Sequence, residues 1–219
     1  FEETQVVLTS PALSGRALKL VHVSDIHFGG EIPTSRIRRA VERIALQKPD
    51  AILLTGDYVT GPNDPIEELG QVLHGFTAPS FAVLGNHDHA AGADRVRRQL
   101  ENAGIEVLSN EATTVSIKGT RINIIGIEDA ITGRHDVKRA FRHLDVDMPS
   151  LVLSHSPMVA RELPADRGLC CFSGHTHGGQ IAVPGVTRWV CRLAGQHYVR
   201  GVYSVRGNQL FVNRGLGYG

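Results

Sequence analysis

The tetrapeptide Gly85-Asn86-His87-Asp88 follows a short apolar run, residues 81–84, that is typical of a buried strand. A glycine turns the chain there, and an amide, an imidazole and a carboxylate follow in succession. Open α/β sheets build their binding sites at this carboxyl end of their strands. The three groups could supply a metal ligand, a proton donor and the group that orients the donor. The tetrapeptide therefore predicts an α/β fold with a site at its strand ends.

Four further stretches place polar side chains directly after predicted strands in the same way. The strands are residues 18–23, 50–55, 151–154 and 168–173. The polar stretches that follow them are Asp25-Ile26-His27, Gly56-Asp57, His155 and Gly174-His175-Thr176-His177. The repetition of this arrangement indicates one shared site rather than five unrelated turns.

Helices and strands alternate in the first half, which predicts parallel strands. The predicted helices there cover residues 33 onward, 65–74 and 93–103. The second half predicts a mixed sheet with a hairpin about residues 118–120 and another about Gly207-Asn208. The remaining predictions are an edge strand at residues 5–10, a helix at 136–144 and a short strand at 180–183. We expect one domain over residues 1–219.

Composition sets broad limits on function. The chain has 219 residues, of which 42% are hydrophobic and 21% charged, and its formal net charge is +1. This balance indicates no nucleic-acid partner. The apolar runs are too short to cross a bilayer. Because the sequence begins with Phe1 rather than methionine, we expect a processed or partial chain, and any upstream leader or anchor would lie outside it.

The polar strand ends form a mixed oxygen and nitrogen ligand set without thiolates. Three cysteines with no CxxC spacing argue against both a disulfide framework and a cysteine zinc site. Imidazole and carboxylate suit Mn, Fe, Zn or Co. Seven ligands exceed the need of one tetrahedral ion, so two divalent ions are expected, about 3.5–4 Å apart. Asp57, alone on the central strand, is the expected bridging carboxylate.

Taken together, these motifs resemble the calcineurin-like metallophosphoesterases, in the same order along the chain. The resemblance implies an α/β four-layer αββα sandwich of two mixed β-sheets flanked by helices. It also implies in-line attack at phosphorus by a metal-bridging hydroxide, with His87 donating a proton to the leaving group and Asp88 holding the His87 ring. The implied ligands are Asp25, His27, Asp57 and His177 for one metal and Asp57, Asn86, His155 and His175 for the other.

A closer similarity joins the chain to a bacterial branch of that family. The stretches that carry it are residues 55–59, 173–180 and 211–217. The branch includes membrane-associated phosphodiesterases and a UDP-2,3-diacylglucosamine pyrophosphatase. The resemblance implies a small-molecule or lipid-linked phosphodiester or pyrophosphate substrate, and membrane association through an N-terminal segment. Nothing in the sequence indicates the oligomeric state or the compartment.

Two other functions remain open on the sequence. Residues 56–61 are similar to protein phosphatases, which would make the chain a phosphomonoesterase. Those enzymes carry Asp-Arg-Gly after the valine, however, where this chain has Thr60-Gly61-Pro62. The second alternative is a non-catalytic scaffold with the same fold, against which the complete ligand set argues.

Several residues near the motifs have open roles. His89 could reach a substrate. Arg188 and Trp189 could line the pocket, although a lone tryptophan is more often packing. Arg200 and Arg214 could bind phosphate, and structural ion pairs are the alternative.

Overall fold

The computed structural model describes residues 3–13, 15–29, 32–145, 147–179 and 197–217. The strands of this part form two sheets. The first sheet is entirely parallel, with β1 beside β2, β2 beside β3 and β3 beside β4. Its strands are β1 (Leu20–Val23), β2 (Ala51–Thr55), β3 (Ser80–Val83) and β4 (Glu106–Val107).

Helices connect the strands of the first sheet, as parallel pairing requires. The first connection is α1 (Thr34–Leu46), and the second is a 3₁₀ turn at Ile66–Glu68 followed by α2 (Leu69–Leu73). The third is α3 (Asn86–Asn102). Pro33 precedes α1, which begins where the sequence predicts.

The second sheet is mixed and has the order β5-β6-β7-β8-β10-β9. Its four inner strands are parallel, and an antiparallel hairpin lies at each edge. Its helix is α4 (Val137–Ala140), and a 3₁₀ turn covers Pro157–Arg161. Its strands are β5 (Glu111–Ile117), β6 (Thr120–Ile127), β7 (Ser150–Ser154), β8 (Cys170–Ser173), β9 (Gly201–Val205) and β10 (Asn208–Val212).

The two sheets face each other and helices cover their outer surfaces, which gives four layers. Alternate residues of β2 show this arrangement, because side chains point to opposite faces of a strand. Leu53 packs toward the second sheet with Ile124, whereas Leu54 packs toward the helices with Val41. Val152 faces outward and packs with Val159 of the 3₁₀ turn. Each such fully buried side chain contributes about 1.5–3 kcal/mol of hydrophobic free energy.

Four sequence predictions need correction. Residues 5–10 form no strand, and Thr9 instead bonds through its backbone N–H to the Gln209 side chain, 3.1 Å away. The predicted helix at 136–144 contains only α4. The first sheet is parallel rather than mixed, and α3 begins at Asn86 rather than at residue 93. The strand predicted at 180–183 lies outside the described residues.

None of the described helices combines the length and apolarity that a membrane crossing requires.

Candidate metal centre

The sequence-predicted side chains converge where the carboxyl ends of both sheets meet. The first sheet supplies Asp25 and His27 after β1, Asp57 after β2 and Asn86 after β3. The second sheet supplies His155 after β7, and His175 and His177 after β8. The strands that carry the motifs pair in parallel within each sheet, so their carboxyl ends lie at the same edge of that sheet. The structure therefore assembles the site from residues up to 152 positions apart in the chain, Asp25 to His177.

One cluster consists of Asp25, His27 and His177, whose potential ligand atoms all lie within 4.8 Å of one another. His27 Nε2 lies 3.2 Å from His177 Nε2, and His177 Nε2 lies 3.5 Å from Asp25 Oδ1. Two neutral imidazole nitrogens that both present lone pairs at this distance repel each other. A cation between them and the carboxylate removes that repulsion.

The second cluster consists of Asp57, His155 and His175, within the same distance limit. His155 is fully buried, and its Nε2 lies 3.1 Å from Asp57 Oδ2. The same carboxylate oxygen lies 4.0 Å from His27 Nε2 of the first cluster. Asp57 therefore stands between the two clusters, as a bridging carboxylate must.

Unsatisfied buried atoms test whether a metal fits this site. Asn86 Oδ1 is buried and lacks a hydrogen-bond partner among the described residues, and the buried His155 Nε2 faces the Asp57 carboxylate at 3.1 Å. Such orphaned polar atoms are costly in a folded protein unless something else binds them. Both are lone-pair donors beside two carboxylates, so a divalent cation satisfies all of them at once. The residues present thus fit the metal ions that the motifs predict.

Glycines and backbone N–H groups hold the two carboxylates in place. His87 N donates to Asp57 Oδ1 at 3.0 Å, and His175 N donates to Asp25 Oδ1 at 3.1 Å. A side chain at Gly85 would collide with Asp57 Oδ1, and one at Gly174 would collide with Asp25 Oδ2. Each glycine is therefore required for a close approach of backbone to carboxylate.

The segment after β10 fastens the loop that carries Asp25. Leu216 N donates to the Ser24 carbonyl at 2.9 Å, and Gly217 N donates to the Asp25 carbonyl at 2.7 Å. Asn213 Nδ2 donates to the His22 carbonyl at 3.0 Å. Residues 213–217 thus form a clasp on the first motif, which explains why this part of the sequence carries family resemblance without carrying metal ligands.

The electrostatics of the site favour positive charge. Burial alone would lower the pKa of His155, but the charge and hydrogen-bonding capacity of Asp57 outweigh burial and raise it. Burial likewise opposes ionisation of Asp57, but His155 lowers the pKa of that carboxyl below its usual range. The negative charge that raises the pKa of His155 would also attract a divalent metal ion, which His155 would bind in its deprotonated form.

Asp88 does not play the part that the sequence suggested. Its carboxylate is buried and accepts hydrogen bonds from the backbone N–H groups of Gly85, Asp57 and Tyr58, each at 2.8 Å. The His87 ring instead bonds through Nδ1 to the carbonyl oxygen of Thr60, at 2.8 Å. The expectation that Asp88 holds the His87 ring is therefore wrong, because Asp88 ties the loop after β2 to the start of α3.

An acidic pair beside the site escaped the sequence reasoning. Glu128 follows β6 and accepts from Ser109 Oγ, while its other oxygen lies 2.7 Å from His89 Nε2. The adjacent Asp129 is fully buried, and its charge acts on His175. The open role of His89 is thus a contact from α3 to the second sheet. An acidic dipeptide directly after a predicted strand was the signal that could have revealed it.

Of the other residues with open roles, Arg214 packs its aliphatic stem over Gly178, next to His177. Arg200 is exposed near the start of β9. Arg188 and Trp189 lie outside the described residues.

Comparison with known proteins identifies relatives of the chain. Residues 18–179 match the family model described as calcineurin-like phosphoesterase. The phosphodiesterase YaeI of Escherichia coli is 33% identical over 213 residues, which cover 91% of this chain and 75% of that protein. The UDP-2,3-diacylglucosamine pyrophosphatase LpxG of Chlamydia trachomatis is 28% identical, covering 91% of this chain and 78% of that protein.

Solved structures share the fold. The 5'-nucleotidase precursor of Thermus thermophilus superimposes with a TM-score of 0.61 at 18% identity, covering 91% of this chain and 49% of that one. The protein TT1561 of the same organism gives a TM-score of 0.61 at 13% identity, covering 91% of both chains. At these identities the likeness establishes the architecture alone.

Proposed function

Because this chain belongs to the calcineurin-like phosphoesterase family, we propose that it is a hydrolase that cleaves phosphodiester or pyrophosphate bonds with two divalent metal ions. The observation that carries the proposal is the position of Asp57. One of its oxygens lies 3.1 Å from His155 in one cluster and 4.0 Å from His27 in the other. A carboxylate shared in this way suits a pair of ions acting on one phosphoryl group.

The ligands divide between the two clusters. Asp57 belongs to both. Asp57 and Asp25 are the only ligands with negative charge, so two divalent ions would leave the ligand set with a net positive charge. That charge would attract a phosphate oxyanion. We propose Mn²⁺ as the bound ion, and the imidazole, amide and carboxylate donors also suit Zn²⁺, Fe²⁺ or Co²⁺. The first ion would be held by Asp25, His27, Asp57 and His177, and the second by Asp57, Asn86, His155 and His175.

His87 is the residue that we assign to proton transfer. When bound, the two ions supply a nucleophile at neutral pH and neutralise charge on the phosphoryl group. The bond from His87 Nδ1 to the Thr60 carbonyl requires a proton on Nδ1, so Nε2 is the nitrogen that gains or loses a proton. That nitrogen would protonate the leaving oxygen, which contributes typically 10²–10⁴-fold to a rate.

The relatives guide the choice of substrate class. The E. coli relative is named a phosphodiesterase and the Chlamydia relative a pyrophosphatase. Both names describe phosphorus with two substituents, which favours a diester or a pyrophosphate over a monoester. We propose a small-molecule or lipid-linked substrate of this kind and treat residues 1–219 as one catalytic domain.

The test is hydrolysis by protein that has been stripped of metal and reloaded with Mn²⁺, Zn²⁺ or Fe²⁺. The substrates are bis-nitrophenyl phosphate, nitrophenyl phosphate and a UDP-linked pyrophosphate. We expect metal-dependent cleavage of the diester or the pyrophosphate, reduced at least about 100-fold in Asp57→Asn because the shared ligand is weakened. Asp94→Asn, an equivalent change at an exposed position of α3, should retain activity.

Two outcomes would overturn the proposal. Turnover of the monoester alone would make the chain a phosphomonoesterase. Full metal occupancy without turnover of any substrate would indicate a scaffold.

A further inference from the structure

Thr60 contacts two functional histidines at once. It follows Asp57 by three positions, and it is exposed whereas Tyr58 and Val59 are fully buried. Its hydroxyl Oγ1 lies 3.2 Å from Nδ1 of His27, and its carbonyl oxygen lies 2.8 Å from Nδ1 of His87. One residue thus contacts a candidate metal ligand through its side chain and the candidate proton donor through its backbone.

The hydroxyl contact is made by Nδ1 of His27, and it bears on whether Nε2 of the same ring has a lone pair free for a metal ion. A neutral imidazole carries one hydrogen, so a lone pair is free on Nε2 only when the hydrogen is on Nδ1. Nε2 is the nitrogen that converges on His177, 3.2 Å away, and on Asp57, 4.0 Å away. In that tautomer the Thr60 hydroxyl accepts the Nδ1 hydrogen, although a hydroxyl is also able to donate. Outer hydrogen-bond partners orient the rings of metal-binding histidines.

The carbonyl contact leaves no such choice. A backbone carbonyl only accepts hydrogen bonds, so His87 must carry a hydrogen on Nδ1 to make this one. The rings of His27 and His87 are 5.1 Å apart between centroids and nearly perpendicular, at 83°. The two rings are therefore held in one arrangement by the same residue.

Asp64 fixes the backbone of Thr60 in turn. The Asp64 carboxylate accepts a hydrogen bond from the Thr60 N–H at 2.6 Å. The same carboxylate oxygen accepts from the Gly61 N–H at 2.9 Å, so one side chain holds two consecutive backbone N–H groups. The position of the Thr60 carbonyl, and with it the His87 ring, thus depends on a carboxylate that contacts neither histidine in the described structure.

We infer that Thr60 is a positioning residue that sets the tautomer of His27 through its hydroxyl and the orientation of His87 through its carbonyl, with Asp64 holding it in place. The inference rests on the proposed function for its use of metal and proton transfer. The two roles belong to different atoms of Thr60 and can be tested separately. Substitution of the side chain removes the hydroxyl and leaves the carbonyl in place.

The experiment compares Thr60→Val, Thr60→Ser and Asp64→Ala in the full chain. Long-range ¹⁵N–¹H NMR of the chelator-treated protein at pH 8 reports which ring nitrogen carries the hydrogen. Calorimetric titration with Mn²⁺ reports affinity. Thr60→Val should lose the Nδ1–H form of His27, keep that of His87, and bind Mn²⁺ about 10–100-fold more weakly. Thr60→Ser should restore both properties.

Asp64→Ala should show the opposite pattern. His87 should lose its single tautomer, and hydrolysis of an ester with a poor leaving group should fall further than that of a nitrophenyl ester. His27 should keep the Nδ1–H form. Thr77→Val, in the exposed loop before β3, is the matched control and should change neither ring.

An unchanged His27 tautomer and unchanged Mn²⁺ affinity in Thr60→Val would overturn the inference for the hydroxyl. An unchanged His87 ring in Asp64→Ala would overturn it for the carbonyl. Because the NMR readout uses metal-free protein without substrate, these results stand apart from the proposed function, which is tested separately by metal-dependent hydrolysis in the wild-type chain.

Discussion

At the scale of single residues, five of the seven candidate ligands adopt a backbone conformation that most side chains avoid. Their φ angles are positive, in the left-handed region: 51° for Asp25, 50° for His27, 55° for Asp57, 68° for His175 and 47° for His177. Each such residue costs on the order of 1–2 kcal/mol relative to ordinary backbone. Five together at one site indicate that the surrounding hydrogen bonds hold the ligands where the chemistry needs them.

The sequence predicted the identity of the clustered residues but not their hydrogen-bond partners. Asp25, His27 and His177 follow predicted strands, and strand ends can be read from apolar runs. The partners of Asp88 and the contacts of Thr60 depend on loop conformation. Positive φ at Asp57, which no residue-type pattern reveals, turns the loop so that its N–H groups face Asp88.

His22 provides a prediction for the pH dependence of stability. Its ring packs edge-on against Phe172 and Phe211, at 5.4 and 5.7 Å between centroids, with Nε2 2.8 Å from Thr55 Oγ1. Burial lowers the pKa of His22 to about 3, although part of the residue's surface remains exposed. Between pH 6.5 and that value the unfolded chain binds more protons than the folded chain, so acidification destabilises the fold.

We therefore expect the unfolding free energy of His22→Gln to fall less than that of the wild type when the pH is lowered from 7 to 5. The lost slope should approach about 1.4 kcal/mol per pH unit. Urea unfolding with a chelator present throughout measures it, and the exposed His74→Gln serves as control. Identical pH slopes in His22→Gln and wild type would show that His22 titrates normally in the folded state.

At the scale of elements, helix α3 shows where pattern reading fails. Its first seven residues are mostly polar, and Gly92 has a φ of 121° inside it, so no apolar stripe marks its true start. The start of the helix is instead stabilised by the Asp88 carboxylate, which accepts a hydrogen bond from the N–H of Gly85 and so satisfies a backbone donor at the helix N-terminus. The β5–β6 hairpin and the parallel strands β1, β2 and β3 were predicted correctly, whereas the two-residue strand β4 was not predicted.

Gly85→Ala tests whether the close approach of Gly85, at the start of this helix, to the Asp57 carboxylate is required. The φ of Gly85 is −105°, so alanine meets no conformational barrier, but its Cβ would collide with Asp57 Oδ1. We expect a loss of about 1–3 kcal/mol in the unfolding free energy of metal-free protein and a large fall in Mn²⁺ affinity. Denaturant unfolding and calorimetry measure the two effects.

Gly61→Ala is the matched control, since a Cβ there meets nothing within 4 Å. Equal behaviour of the two alanine variants would mean that Asp57 relaxes without consequence.

At the scale of the whole molecule, the candidate site takes its residues from both sheets, whose facing surfaces pack apolar side chains against each other. Asp57 comes from the first sheet, and His155 and His175 come from the second. The sequence predicted two sheets because the helix–strand alternation ends midway. The expected αββα sandwich already implied face-to-face packing, but the sequence could not specify which side chains, such as Leu53 and Ile124, meet across the interface.

Metal ions should therefore stabilise the fold as well as serve the chemistry. A ligand at 100 times its dissociation constant adds about 2.7 kcal/mol for each site that exists only in the folded state. We expect chelation to lower the melting temperature of the wild-type chain by several degrees and that of Asp57→Asn much less. Differential scanning calorimetry measures this, with Asp94→Asn expected to respond like wild type. A melting temperature that is insensitive to chelation would contradict the expectation.

The clasp at residues 213–217 has a consequence for how the chain is made. Asp25 is among the first site residues to leave the ribosome, yet the N–H groups that bind the Ser24 and Asp25 carbonyls belong to Leu216 and Gly217. During translation the first motif lacks these two donors until residues 216 and 217 have been synthesised. The centre is completed only when both segments are available, which ties its assembly to the synthesis of a segment about 190 residues downstream of Asp25.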